Sequence, residues 1–131
     1  FLIRLKLEGI VCKTVAEIIT GEQLEKLRET VELQEFYLNK GDPDRIKLMD
    51  NRFHELIYMA SGRNIFYEIL MPLHKKIQKY RRASVTNTSR AAASAKEHRE
   101  IYEAIAKKDT EKAYKLSYNH VNNAYKHIKK D

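Results

Sequence analysis

Asp50 and His54 stand four residues apart, and His98 and His120 follow further along a 131-residue chain that holds five histidines and one cysteine. Carboxylates and imidazoles are oxygen and nitrogen donors of the kind that bind divalent transition metals. Residues four apart leave a helix on the same side, so Asp50 and His54 can share a ligand. Both fall on the apolar stripe of Ile46, Phe53 and Ile57. His98 lies within the stripe of Ala91, Ala95, Ile101, Tyr102 and Ile105, and His120 within that of Ala113, Leu116, Ala124 and Ile128. Placing such groups on an inward face is costly unless they are paired or bind a metal. Two readings stand side by side: Asp50 and His54 form a hydrogen-bonded pair beside structural histidines, or the four residues converge as one ligand set.

The other two histidines fit less well. His127 shares the His120 stripe but is flanked by Lys126, Lys129 and Lys130, and is expected to be solvated. His74 opens a basic run containing Lys75, Lys76, Lys79, Arg81 and Arg82, and is read as off the centre of its stripe. The lysines of that run read as a solvated face. Its arginines, with Arg4, are candidates for gripping a carboxylate, because guanidinium groups bind carboxylates with two parallel hydrogen bonds. Hydrolytic chemistry at a metal needs a general base beside it. Glu97 neighbours His98 but points about 100° away from it on a helical wheel. The chain has no Glu-x-x-His pair, no Cys-x-x-Cys, no Gly-rich phosphate loop and no Gly-x-Ser-x-Gly.

These residues need helices to position them, and the breakers provide for six. Thr20 and Gln23 have capping-box spacing. Gly41, Asp42 and Pro43 read as a helix stop, a cap and a first-turn proline. Ser61 to Asn64, Thr86 to Ser89, and Lys107 to Asp109 mark the remaining breaks. The pattern predicts helices near 2–19, 22–40, 43–61, 65–84, 88–107 and 110–129. Pro72 is expected to kink or split the fourth, and Gly9 is a weak point in the first. Short connections favour antiparallel neighbours, so the expected fold is an all-α antiparallel bundle of six to seven helices.

Composition narrows the class. Apolar residues are 43% of the chain, which argues against wholesale disorder. The longest apolar run, Leu56 to Ala60, is far too short to span a membrane. The single Cys12 leaves no intramolecular disulfide, and a cytoplasmic setting is expected. The net charge of +7 fits an acidic partner or plain solubility. A chain beginning at Phe1 is expected to be part of a longer protein.

Four stretches together carry a family resemblance. Arg4-Leu5-Lys6-Leu7-Glu8 reads R-x-x-L-E, and Asp50 to His54 reads D-x-x-F-H. Glu97 to Ile105 reads E-H-x-x-I-x-x-A-I, and His120-Val121 follows the Asp109 to Ala113 segment, which reads D-x-x-x-A. In this order the chain resembles the C-terminal effector-binding (FCD-type) domain of GntR-superfamily, FadR-subfamily bacterial transcription regulators. The turn Ser61-Gly62-Arg63-Asn64 departs from the family, where Gly and Asn are often adjacent.

The resemblance implies that residues 1–131 form an effector-binding and dimerisation domain, with an N-terminal winged-helix DNA-binding domain outside this chain. It implies a divalent metal held by Asp50, His54, His98 and His120. Zinc or nickel suits imidazole ligands, and manganese is the third option. It implies a small carboxylate effector, with Arg4 at a motif position and Arg81 and Arg82 placed by region. It also implies a homodimer, contact with DNA only through the attached domain, no membrane partner and no catalysis. The alternatives are a metal-dependent hydrolase and a metal-free helical oligomerisation module.

Overall fold

A computed structural model describes residues 1–83 and 88–130, and the side chains of all of these except 80–83, 88, 129 and 130. The described residues form six helices and no strand: α1 (Leu2–Ile18), α2 (Gly21–Lys40), α3 (Pro43–Ala60), α4 (Asn64–Ala83), α5 (Thr88–Ala106) and α6 (Thr110–Lys130). None is long and apolar enough to cross a membrane.

The breakers act as their chemistry dictates. Thr20 Oγ1 accepts from the Gln23 backbone N–H at 3.1 Å, and Gln23 Oε1 accepts from the Thr20 N–H at 3.0 Å. This reciprocal pair satisfies two amides that helix geometry leaves without partners. Gly41 ends α2 in the left-handed region at φ 66°, with the Asp42 N–H returning to the Tyr37 carbonyl. Asp42 then caps α3 by accepting from the Arg45 N–H, and Pro43 fills the first turn. Between α5 and α6 the left-handed residue is Lys108, at φ 55°, and Asp109 caps α6 through the Lys112 N–H. Of the caps expected at Thr86 to Ser89, residues 86 and 87 lie outside the described residues.

Two local expectations are refined. α4 is not split at Pro72. Pro72 and Glu68, four residues before it, are both exposed, so water can take the place of the missing hydrogen bond. Gly9 is a contact rather than a defect. A Cβ there would stand 3.0 Å from the Tyr114 ring, so the glycine lets α6 lie close against α1.

The contacts run in opposite directions along neighbouring helices. Phe1 meets Tyr125, Gly9 meets Tyr114, and Lys13 meets Glu111. Likewise Asp50 meets Gln78 while Glu55 meets Tyr67. Described connections of two or three residues join α2 to α3, α3 to α4 and α5 to α6, and each of these pairs packs together.

The interior is therefore divided along the bundle axis. One half is apolar: Val11, Val15, Leu27, Val31, Ile57, Leu70, Ile101 and Ala113 are buried there. The other half, towards the opposite ends of the same helices, buries Arg4, Glu8, Gln34, Asp50, His54, His74, Gln78, His98 and His120. Each helix thus carries an inward stripe that changes from oil to polar chemistry partway along.

Thr20→Ala removes one half of the capping box and should cost about 1 kcal/mol. Thermal or urea denaturation checks this, and an unchanged midpoint would show that the box contributes nothing to stability.

Candidate metal centre

The polar layer is organised around imidazoles. Asp50 and His54 project from one face of α3, His98 from α5 and His120 from α6, and none of the four is more than 5% exposed. The structure brings all four together. Asp50 Oδ1 lies 3.5 Å from His54 Nε2 and 3.5 Å from His98 Nε2. His98 Nε2 and His120 Nε2 face each other at 3.2 Å. The ligand atoms of His54, His98 and His120 all lie within 4.8 Å of one another.

The outward nitrogens are committed elsewhere. His98 Nδ1 donates to Gln34 Oε1 of α2 at 2.7 Å. His120 Nδ1 donates to Glu97 Oε1 at 2.6 Å. Glu97 is itself held by Arg90 at 3.1 Å and by Asn123 Nδ2 at 3.0 Å. With each proton placed on Nδ1, each Nε2 presents a lone pair, and neither ring can donate to the other. His54 Nε2 is also buried without a hydrogen bond.

The arrangement brings several lone pairs close together, each ring oriented by an acceptor behind it, which suits a cation. Two donors about 2.1 Å from one ion stand about 3.0 to 3.5 Å apart when the angle between them is about 90° to 110°. The separations of 3.2 and 3.5 Å fall in that range. The residues present fit a divalent transition metal in donor type, spacing and orientation.

Electrostatics favours neutral rings. Burial, reinforced by neighbouring His120, holds His98 well below the ordinary imidazole range. Burial, with His54 and Arg90 nearby, does the same for His120. A neutral imidazole keeps the lone pair a metal needs. Phe53 stacks on the His98 ring at 4.0 Å between centroids and closes the cluster off from the apolar half.

The expectation for His74 is corrected. It is 1% exposed and belongs to the cluster, with Nε2 3.5 Å from Asp50 Oδ2 and its ring 4.1 Å from that of His54. Burial, then His54, lowers its pKa to about 4. Lys75, Lys76 and Lys79 beside it are exposed, so these lysines lie on the surface while His74 turns inward. The signal was available: His74 lies four residues after Leu70 and three before Ile77, both buried.

Gln34 and Gln78, and the contact of Glu97 with His120, escaped sequence reading. Gln78 Nε2 donates to Asp50 Oδ2 at 2.7 Å. Gln34 continues the buried Leu27 and Val31 stripe, a polar residue on an apolar face like the histidines. Glu97 does point away from His98, as the wheel indicated, but towards His120. His127 is half-buried near the end of α6 and is not one of the histidines in the cluster.

Arg4 is buried beside the cluster. Its Nε donates to Glu8 Oε2 at 2.8 Å, and the Tyr58 hydroxyl donates to the same oxygen at 2.8 Å. Burial alone would lower the Arg4 pKa, but the Glu8 carboxylate beside it reverses the sign and raises it. The side chains of Arg81 and Arg82 lie outside the described residues. A cleft of about 370 Å³ between α5 and α6, lined by Ala93, Lys96, Leu116 and Asn119, reaches Glu97 and His120 from the surface.

The model of the family described as FCD domain matches residues 1–123. A Bacillus subtilis (strain 168) protein described as the uncharacterized HTH-type transcriptional regulator YdhC is 29% identical over 128 residues, covering 97% of this chain and 57% of that protein. The solved structure of Streptococcus agalactiae GntR matches with a TM-score of 0.81 and 26% identity, over 99% of this chain and 56% of that one. E. coli McbR/YncC matches in fold, with a TM-score of 0.86 and 20% identity over 98% of this chain and 62% of that one. The chain spans just over half the length of the curated relative.

The pH dependence of stability follows from the neutral histidines. An unfolded imidazole titrates near pH 6.5, whereas folded His74 does so at about 4. Between those values the unfolded chain holds a proton that the folded chain lacks, so stability rises with pH and is lost on acidification. His74 alone contributes on the order of 3 kcal/mol across that window. Urea denaturation of chelator-treated protein from pH 7.5 to 4 measures it. A flat profile, or one rising towards acid, would contradict burial of neutral rings.

Proposed function

The chain belongs to the FCD domain family, the effector-binding domain of GntR-superfamily transcription regulators, and from that premise we propose that it senses a small organic acid at a bound divalent metal. Asp50, His54, His98 and His120 would hold the ion, with zinc or nickel favoured by the three imidazoles and manganese the harder alternative. The family is regulatory rather than enzymatic, which sets the hydrolase reading aside.

One observation carries the metal reading: two buried imidazoles face each other through lone pairs, each locked in place by an oxygen acceptor behind it. With both protons on Nδ1 this contact is repulsive unless a cation stands between the rings. Bound there, the ion would supply a Lewis-acidic centre able to take a carboxylate oxygen. Gln34 and Glu97 fix the ring orientations. Arg4 feels the charge of Asp50 and adds positive potential on the α1 side. Arg81 and Arg82 are the further candidates for holding the acid. The α5–α6 cleft offers a route to His120.

In this reading residues 1–131 act within a longer homodimeric regulator whose N-terminal winged-helix domain contacts DNA. Support comes from the B. subtilis relative, which is described as an HTH-type regulator and of which the chain covers 57%. The acid must favour one dimer arrangement over another, because a ligand shifts an equilibrium only by its difference in affinity for the two states.

Elemental analysis of the untagged protein at neutral pH should find about one divalent metal per chain, released on acidification as the imidazoles protonate. His98→Ala and His120→Ala should each lose it. With metal bound, small carboxylic acids should raise the melting temperature, and after chelation they should not. Full occupancy in both variants, or no uptake of zinc, nickel or manganese, would end the metal-anchored reading.

A further inference from the structure

His74 supplies a fifth donor to the cluster. Its Nε2 stands as far from Asp50 Oδ2 as His54 Nε2 and His98 Nε2 stand from Oδ1, 3.5 Å in each case. The ligand atoms of Asp50, His54 and His74 lie within 4.8 Å of one another, as do those of His54, His98 and His120. The two groups share His54. The ring is 1% exposed, and neither of its nitrogens makes a hydrogen bond.

A buried imidazole that neither donates nor accepts is costly, because both nitrogens lose their water partners and gain none. A supporting role towards Asp50 does not account for it. Gln78, one turn further along α4, already donates to Asp50 Oδ2 at 2.7 Å, whereas His74 stays at 3.5 Å. α4 thus presents His74 and Gln78 to the cluster four residues apart, as α3 presents Asp50 and His54. Gln78 orients the carboxylate, and His74 is left with a nitrogen beside Asp50 Oδ2 and the donor atom of His54, the residue that the two groups share.

We propose that His74 is a direct ligand of the ion, so that the site consists of four imidazoles and one carboxylate rather than three and one. The inference rests on the metal reading above. Five protein donors leave one position on a six-coordinate ion, and the acid would then attach through a single carboxylate oxygen. Four imidazoles also shift the preference towards nickel, cobalt and zinc and away from manganese.

Cadmium-113 tests this without any regulatory assay, because scalar coupling between the metal and imidazole ring protons appears only for rings bound to it. The intact protein loaded with cadmium-113 should show four coupled imidazoles, His74→Gln three, and His127→Gln still four. Three coupled rings in the unmodified protein, unchanged by His74→Gln, would overturn the inference and leave the Asp50, His54, His98, His120 site standing. Failure of the unmodified protein to bind cadmium, zinc or nickel would remove the metal reading and this inference together. The count in the unmodified protein decides the question even where His74→Gln does not fold.

Discussion

Two imidazole nitrogens, Nε2 of His98 and Nε2 of His120, meet at 3.2 Å in the interior, and with both Nδ1 protons committed to oxygen acceptors each presents a lone pair. That contact dictates much of what surrounds it. Each ring must be gripped from behind, so α2 contributes Gln34 and α5 contributes Glu97. Glu97 in turn is steadied by Arg90 and Asn123. The chain of support runs outward from a buried lone pair to the surface of α5 and α6. A half-supported cluster would cost more than an apolar core in the same place.

The second charged group of the polar half follows the same logic. Arg4 and Glu8 lie one turn apart on α1 and neutralise each other in the interior, and Tyr58 closes the pair from α3. A buried ion pair is weak evidence of stability in itself, because desolvation offsets the attraction. Its effect here is on neighbours. Arg4 places a fixed positive charge close enough to influence Asp50 and His74. The R-x-x-L-E stretch is therefore part of the polar half and not only a helix start.

The fold was legible because its punctuation is local. Thr20, Gly41, Asp42, Pro43 and Asp109 act on their own helix ends, and their chemistry needs no knowledge of tertiary contacts. The helices fall within a residue or so of the expected bounds. Pro72 was harder to read, since its effect depends on whether the lost hydrogen bond faces water. At the site, Asp50, His54, His98 and His120 stood out as polar residues on apolar stripes and again as motif positions. Gln34 did not, nor did the role of Glu97, itself a motif position, because their partners sit 64 and 23 residues away on other helices. His74 was masked by the lysines after it: a charge run averages over a helix, while burial is decided residue by residue.

The division of the interior into an apolar half and a polar half has a mechanical consequence. Nonpolar burial holds one end of all six helices together whether or not anything is bound. The other end also buries Met49, Phe53, Ile77, Ala95, Val121 and Ala124, but adds directional contacts between polar side chains, each with a narrow range of acceptable geometry. Such a bundle resembles a tuning fork gripped at its base. The apolar half is the handle, and the polar half is where spacing between helices responds to an occupant. In amide exchange, opening free energies would grade along the helix axes, lowest around Arg4, Gln34, Asp50 and His120 and highest around Val15, Ile57 and Ile105. A ligand there changes stiffness where the fold has least of it, and the change reaches all six helices at the same level.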